Sequence, residues 1–546
     1  LIKSERMPED WPIFSTTGYV FLNSVSGIFV DMGKAKAFDD IYSRFIRAKV
    51  DYQDLIYEKK KLIMLTSMPS EINTLGHYLN RISEKNRHTR DFTLNSLTTA
   101  VMEVIACFPV YRTYVTESGV NEIDRRHIGQ AISRAKRKNP ALSATIFDFL
   151  ENILLLRFPE GLKETDKKEC LSFVMRFQQI TGPVMAKGVE DTAFYVYNRL
   201  VSLNEVGGNP ERLGTPLDTF HGQNIERTKF WPYAMISTST HDTKRSEDVR
   251  ARLSILSEIP DEWRHNLFRW SKINKKRKSL IEGQWVPDRN QEYLLYQTLI
   301  GTWPIHPMNE DAYESFKKRI KDYMLKAIRE AKVNTSWISP NLAYEEGLLK
   351  FVDTILTTSP ANPFMKEFEE FQKKISYLGM FNSLSQTLLK IACPGIPDFY
   401  QGTEIWDFSL VDPDNRRPVD FKLREELLSG LKKKMEMSGA NLKELARDLV
   451  REWRDGAVKL YVTFVALNYR KKNHPLFTDG SYLPLVGGGE YGEHVCAFAR
   501  RREEKAVLVI VPRFLTQIIK SAEEVPLGTQ VWQDAWVGLP EEISGK

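Results

Sequence analysis

The sequence predicts an α/β fold: a parallel (β/α) barrel as the frame, with large helical insertions and an all-β domain at the C-terminal end. Three observations predict it. The apolar run 234–239 has strand character and delivers His241 and Asp242 at its carboxyl end, where parallel barrels carry their active groups. Two long stretches, 36–180 and 251–385, place apolar residues at helical spacing. After about residue 455 the texture changes to short β-type runs with Gly-rich turns, notably Gly487-Gly-Gly489.

Taken in order, residues 11–19 read as a short strand running into the turn of Thr16-Thr-Gly-Tyr19, with a helix from about Val20. Phe38, Ile41, Tyr42, Phe45 and Ile46 open a helical pattern that Leu75, Tyr78, Leu79 and Ile82 continue. Thr89 reads as the N-cap of a helix through Val101, Val104 and Ile105. Residues 108–115, β-branched and aromatic, read as a strand closed by the Glu-Ser-Gly turn at 117–119. Helices follow over 121–137 and 142–156. Beyond the strand at 234–239, further helices cover 292–300 and the run Phe316, Ile320, Met324, Ala327, Ala331. Leu388 to Cys393 ends that block, and 460–467, 494–500 and 506–511 read as β runs. The expected segmentation is a barrel segment 1–35, a helical insertion 36–180, barrel and active-site loops 181–250, a second insertion 251–385, the barrel end 386–450 and a β domain 451–546.

Composition narrows the function. Hydrophobic residues at 42% and charged residues at 27% are those of an ordinary globular protein. The 77 basic and 71 acidic residues leave a formal charge of +6, dense in both signs, which argues against a nucleic-acid partner. The basic run 272–278, interrupted by Ile273 and Asn274, reads as a solvated helix end. No stretch of eighteen apolar residues offers a membrane span. Cys107, Cys170, Cys393 and Cys496 lie scattered in or beside apolar runs, as buried thiols of a reducing, cytoplasmic compartment would, and show no metal-site spacing. The opening Leu-Ile-Lys-Ser-Glu carries neither an initiator Met nor a signal peptide and reads as the middle of a protein.

Two segments carry the candidate chemistry. Gly182-Pro-Val-Met-Ala-Lys-Gly-Val-Glu-Asp-Thr-Ala-Phe-Tyr195 runs on to Ser202-Leu-Asn-Glu-Val-Gly-Gly208, and Ser237-Thr-Ser-Thr-His-Asp-Thr-Lys-Arg-Ser-Glu-Asp248 follows. Both are rich in groups that grip a polyhydroxylated ligand. His-Asp alone is a weak signal, since a capping or salt-bridging Asp is common. Glu190 and Asp191 fit a helix N-terminus, complementing its dipole, as well as a loop that binds hydroxyls with Lys187. Asn204, Glu205, Gly207 and Gly208 read as a close-approach turn.

The wording of both segments resembles the maltooligosyl trehalose synthases, a family of the α-amylase superfamily. Pro394-Gly-Ile-Pro-Asp-Phe-Tyr-Gln-Gly-Thr-Glu404 resembles that superfamily's eighth-strand segment, and Asp412-Pro-Asp-Asn-Arg-Arg-Pro-Val-Asp420 a loop of its glucan-rearranging members. Arg329-Glu-Ala-Lys332, Thr335-Ser-Trp-Ile-Ser-Pro-Asn341 and Val531-Trp-Gln-Asp-Ala535 extend the resemblance along nearly the whole chain. It implies a (β/α)8 TIM-type barrel, incomplete here. It implies an intramolecular transglucosylation that converts the reducing-end α-1,4 linkage of a maltooligosaccharide into α,α-1,1, with no cofactor or metal. Asp242 would be the third catalytic carboxylate, at the seventh strand. His241, Lys187, Glu190, Asp191, Asn204, Glu205, Lys244, Arg245 and Tyr400 would bind substrate. For 412–420 a salt-bridge network and direct substrate contact stand equal, and Trp337 fits either a stacking ring or a core residue.

The family's Arg-x-Asp-His motif, which holds the nucleophile, is absent from these residues. The acid/base Glu would fall just before Leu1, so the chain is expected to be the C-terminal two-thirds of the enzyme and inactive alone. The implied partners are a maltooligosaccharide or α-1,4-glucan and, by functional coupling, a maltooligosyl trehalose hydrolase. The rival readings are another glucan hydrolase or transferase of the superfamily, distinguished by its products, and a non-catalytic carbohydrate-binding chain.

Overall fold

The computed structural model describes residues 5, 7–158, 162–438, 442–519, 521 and 524–544; Leu1–Ser4 and Arg6, part of the opening read above as mid-protein, lie outside them. The architecture is α/β, mostly helical, with small sheets. Two compact units emerge, one of residues up to Pro12 with Lys49–Tyr197, the other of Ile13–Ala48 with Asn198–Lys546.

The first unit is a helical body built from Tyr52–Thr66, Pro69–Glu84, Leu94–Ala106, Glu122–Lys138, Ala144–Leu154 and Glu164–Met185. Their apolar faces close over one core that includes Leu75, Leu79, Leu97, Val101, Phe147, Leu150, Phe173 and Phe177. Asp51 and Asn121 cap their helices by accepting from the amides of Asp54 and Asp124. The cap expected at Thr89 lies at Thr93, whose backbone is extended and whose hydroxyl accepts from Ser96 N at 3.2 Å; Thr89 is buried and donates to Ser83 O at 2.8 Å.

Residues 108–115 form no strand. Several of their backbone groups bond to side chains in place of a ladder. Val115 exchanges two bonds with the amide of Gln178 at 2.7 and 3.1 Å, Tyr114 N donates to Asp124 at 3.0 Å, and Lys60 Nζ donates to Phe108 O at 2.7 Å.

The second unit is organised around the 30-residue helix Pro363–Ala392, started by Pro363 at its first turn and buried along most of its length. Trp270 lies 5.6–5.8 Å, centroid to centroid, from Tyr296, Phe364, Phe368 and Phe371, in edge and tilted contacts that aromatic rings favour. The strand expected over 234–239 is short, Met235–Ile236, and pairs in parallel with Ile396–Pro397. No strand forms over the described residues 11–18.

Near the C-terminus, Ser481–Leu485, Val495–Arg502 and Lys505–Pro512 form an antiparallel sheet, and Gly487–Gly488 pairs with Trp536–Val537. The segment is not all-β. Residues 460–467, expected as a strand, lie in the helix Ala457–Lys472, whose buried positions Leu460, Thr463 and Arg470 recur at helical intervals. All four cysteines are buried free thiols. Among the described residues no helix is long and apolar enough to cross a membrane, and no cluster of His, Cys, Asp or Glu is able to hold a metal ion.

Lys60 gives the helical unit a pH signature. It is buried under the turn that carries Gly188, where a Cβ would approach Lys60 Cα to 2.9 Å. Burial pushes its ammonium down from 10.5 to about 7. Between these values the folded state binds fewer protons than the unfolded chain, so this group's contribution makes stability rise with pH. The stability of Lys60→Met relative to the wild-type protein should therefore be highest at pH 7 and below, and decline as pH rises towards 10.5. Urea unfolding of both proteins at several pH values checks this; a difference independent of pH contradicts the buried ammonium.

Candidate functional site

In the second unit, two parallel strands end side by side. Ile396 N donates to Ala234 O at 2.8 Å and Asp398 N to Ile236 O at 2.9 Å, so the segments leaving their carboxyl ends, 237–246 and 398–420, start as neighbours. They also meet again. Ser246 N donates to Ser409 O at 2.9 Å, and Arg245 and Leu410 form an isolated antiparallel bridge.

His241 and Asp242 stand at the tip of the first segment with side chains 48% and 72% exposed. Asp242 is not bare. Its Oδ2 accepts from the Tyr19 hydroxyl at 3.3 Å, its Oδ1 lies 3.4 Å from His241 Nδ1, and its own amide donates to Thr240 Oγ1 at 3.1 Å. Burial, opposed by the hydrogen bond from Thr240 and reinforced by the Asp242 charge, raises the Tyr19 phenol to about 12, so it remains a donor at neutral pH. Gly18 makes this approach possible. It adopts φ +101°, and a Cβ there would lie 2.7 Å from Ser237 N.

Below the pair the loop is held by buried charge. Glu205 is 1% exposed and accepts from the amides of Val206 at 2.9 Å, Lys244 at 2.7 Å and Arg245 at 3.3 Å. Arg250, equally buried, reaches Glu205 at 3.4 Å and donates to the carbonyls of Thr238 and Arg245. Gly208 closes that turn: a Cβ would meet Glu205 O at 2.7 Å. Glu205 thus positions the loop, its carboxylate engaged by protein donors. Asn204 is buried beside it, and Arg245 is buried with its guanidinium on the Tyr323 hydroxyl at 2.7 Å. Lys244 is also buried. Tyr400 is half-buried, donates to Asn415 O at 3.3 Å, and has its phenol raised, chiefly by burial.

One layer deeper lie four charged side chains that sequence reasoning did not single out. Glu247, Asp248, Lys390 and Lys459 are each 1% exposed or less. Lys459 Nζ lies 2.7 Å from Glu247 and 2.9 Å from Asp248, and Lys390 Nζ 3.5 Å from Glu247. Thr238, at the strand end, donates to Glu247, and Asp407 N donates to Asp248 at 2.7 Å. Burial alone would raise Glu247; Lys390 and Lys459 outweigh it and hold the carboxyl at about 2.

Lys187, Glu190 and Asp191 belong to the helical unit. Lys187 and Glu190 occupy a π-helical turn, Ala186–Glu190, that continues the helix Glu164–Met185, and Asp191 is its C-cap, so all three lie at a helix C-terminus and not at the N-terminus or loop considered from sequence. Lys187, 63% exposed, pairs with Asp191 at 2.8 Å, while Glu190 is buried and accepts from the Tyr111 hydroxyl. Trp337 is not a core residue: it is 51% exposed, and its Nε1 donates to Glu330 at 3.0 Å.

No protein-family model matches the chain. A Mycobacterium tuberculosis protein (strain CDC 1551 / Oshkosh) that carries the name maltooligosyl trehalose synthase is 30% identical over 544 residues, 99% of this chain and 62% of that protein. The structure of maltooligosyltrehalose synthase from Arthrobacter ramosus matches 100% of this chain and 62% of its own, with a TM-score of 0.78 at 31% identity. This chain is similar to maltooligosyl trehalose synthases from end to end. A Sulfolobus tokodaii protein described as a hypothetical maltooligosyl trehalose synthase matches 94% of this chain and 59% of its own, with a TM-score of 0.70 at 32% identity. The chain therefore spans about three fifths of the length of these synthases.

The buried quartet should be needed for stability. Lys459→Met leaves Glu247 and Asp248 without their shared ammonium, and breaking a buried pair in this way costs about 3–5 kcal/mol. Urea unfolding should show a loss of that order, and a loss within about 0.5 kcal/mol, typical of surface changes, would contradict it. Glu247, depressed from 4.5 to about 2, contributes stability above 4.5 that is lost as pH falls to about 2, so the wild-type protein should lose more across this window than Glu247→Gln.

Proposed function

We propose that this chain supplies the sugar-binding carboxylate of a maltooligosyl trehalose synthase, within a (β/α) barrel of the α-amylase superfamily. The observation that carries the proposal is the exposed His241–Asp242 pair, presented at the carboxyl end of a strand in a parallel pair and held from below by buried charge. The end-to-end similarity to the synthases supports it. The parallel pairing of Met235–Ile236 with Ile396–Pro397 supports the barrel, as neighbouring seventh and eighth strands.

In this reading the substrate is a maltooligosaccharide. A retaining transfer uses a carboxylate nucleophile and a carboxylic acid on opposite sides of the scissile bond. We assign neither to these 546 residues. Asp242 accepts hydroxyl protons of the distorted sugar, His241 adds one further hydrogen bond, and Tyr19 holds the carboxylate between them. Glu205, Arg245 and Lys244 act through the loop they support. For Lys187, Glu190 and Asp191, in the helical unit, a part in binding sugar hydroxyls rests on the resemblance to the synthases. Exclusion of water separates transfer from hydrolysis. A cytoplasmic location and functional coupling to a maltooligosyl trehalose hydrolase belong to the same proposal.

The test is kinetic, on the full gene product with maltopentaose. A carboxylate that grips the distorted sugar acts more in the transition state than in the ground state, so Asp242→Asn should lower kcat by about a hundredfold or more while KM changes far less. His241→Ala should act in the same direction with a smaller effect. Products are followed as trehalose-capped oligomer against free glucose. Near-normal turnover by Asp242→Asn would remove Asp242 from the site.

A further inference from the structure

Two side chains of the 412–420 loop, neither given a part above, converge on His241. Arg416 Nε donates to His241 Nε2 at 3.1 Å, and Asn415 Nδ2 donates to His241 O at 2.7 Å. A guanidinium N–H only donates, so Nε2 must present its lone pair. A neutral imidazole has one ring proton, which these contacts place on Nδ1, facing Asp242 Oδ1 at 3.4 Å. The opposite tautomer would set two N–H groups against each other and leave Nδ1 as an acceptor facing a carboxylate.

The loop that brings Arg416 is itself held firmly. Asp414 receives the guanidinium fork of Arg319, both bonds at 2.8 Å, and the amide of Leu410 at 2.8 Å. Burial would raise the Asp414 carboxyl, but Arg319 and Arg417 hold it below its ordinary value. Arg417 also donates to Ser409 Oγ at 3.1 Å, and Lys326 donates to Asp412 O. The single Nε–H of Arg416 is the one aimed at His241; Asp412 Oδ1, 2.5 Å from that nitrogen, receives no hydrogen bond from the described residues and adds only charge attraction to the guanidinium. Of the two sequence alternatives for this loop, the salt-bridge network is present.

We infer that Arg416, with Asn415, is a positioning residue: it fixes the His241 ring as the Nδ1–H tautomer and through it aims the Asp242 carboxylate. Asp242 then accepts from His241 at one oxygen and from Tyr19 at the other, and its remaining lone pairs face outward, where its side chain is 72% exposed. The inference rests on the reading of Asp242 as the sugar-binding carboxylate. It adds a requirement that the second segment order the first.

The experiment has two independent readouts on the full gene product. The first is the ¹⁵N signature of the His241 ring at about pH 8, where an ordinary imidazole is neutral. The wild-type protein should show Nδ1 protonated and Nε2 bare. Arg416→Ala should shift the ring towards the Nε2–H form, and Arg416→Lys, which keeps a cationic donor, should restore part of the wild-type signature. The second readout is turnover of maltopentaose. Arg416→Ala should lower kcat about tenfold, equivalent to about 1.4 kcal/mol, with KM within about twofold. Asn415→Ala, which removes the bond to His241 O without touching the ion pairs, should lower kcat by a smaller factor.

A wild-type ring protonated at Nε2 overturns the inference, and so does an Arg416→Ala protein with unchanged tautomer or unchanged kcat. If Asp242→Asn abolishes turnover while Arg416→Ala changes nothing, the inference fails alone. If Asp242→Asn turns over normally, the sugar-site reading fails first, and the ¹⁵N signature still reports whether Arg416 sets the ring.

Discussion

Behind the strand end, Glu247, Asp248, Lys390 and Lys459 place two negative and two positive charges where almost no water reaches them. Removing a charge from water costs several kcal/mol, and in this cluster each group has an opposite partner that offsets the cost. Their geometry is therefore strongly constrained. Glu247 and Asp248 lie on the helix Glu247–Ile255, Lys390 on Pro363–Ala392 and Lys459 on Ala457–Lys472. Three helices remote in sequence must take one relative placement for the charges to balance. That placement sets Thr238, whose hydroxyl donates to Glu247, and with it the end of the strand before His241.

The candidate site is built outward from this layer. Arg250 carries the constraint one step further by donating to the carbonyls of Thr238 and Arg245 on either side of the His241–Asp242 tip. Glu205 completes the support with three backbone amides. A pair of exposed polar side chains on so firmly held a loop has little freedom to lose when a ligand arrives, and preorganisation of this kind favours binding and transition-state stabilisation alike. The charge expected to matter for stability is buried, and the pair proposed to meet a sugar is exposed. The two sets share a loop but no side chain.

Much of this was legible in the sequence where one periodicity dominated. The helical patterns through Phe38, Ile41 and Phe45, through Leu75 and Leu79, and through Phe316, Ile320 and Met324 each correspond to a helix. The reading failed where tertiary partners outweighed local preference. Residues 460–467 include Tyr461, Val462, Thr463 and Val465, a β-favouring composition, yet the run is helical because Lys459 and Arg470 of the same helix have buried partners. Residues 108–115 form no ladder; Gln178, Asp124 and Lys60 bond backbone groups of Val115, Tyr114 and Phe108, and no local pattern announces a partner 63 residues away. At the site, motif wording pointed to His241, Asp242 and the 412–420 loop. It could not separate the exposed pair from the buried Glu205, since a carboxylate that holds a loop and one that holds a sugar look alike in sequence. Arg250, Lys390 and Lys459 bore no signal except their partners.

The central claim is that a glucan is gripped by a carboxylate on a loop already in place. A crystal structure of the full gene product with maltopentaose tests it most directly. The account predicts one glucose ring with hydroxyl oxygens about 2.5–3.0 Å from the Asp242 carboxylate and within hydrogen-bond reach of His241, and residues 237–248 in the positions they hold without sugar. A bound glucan that touches neither His241 nor Asp242, or a loop that rebuilds to reach it, would contradict the account.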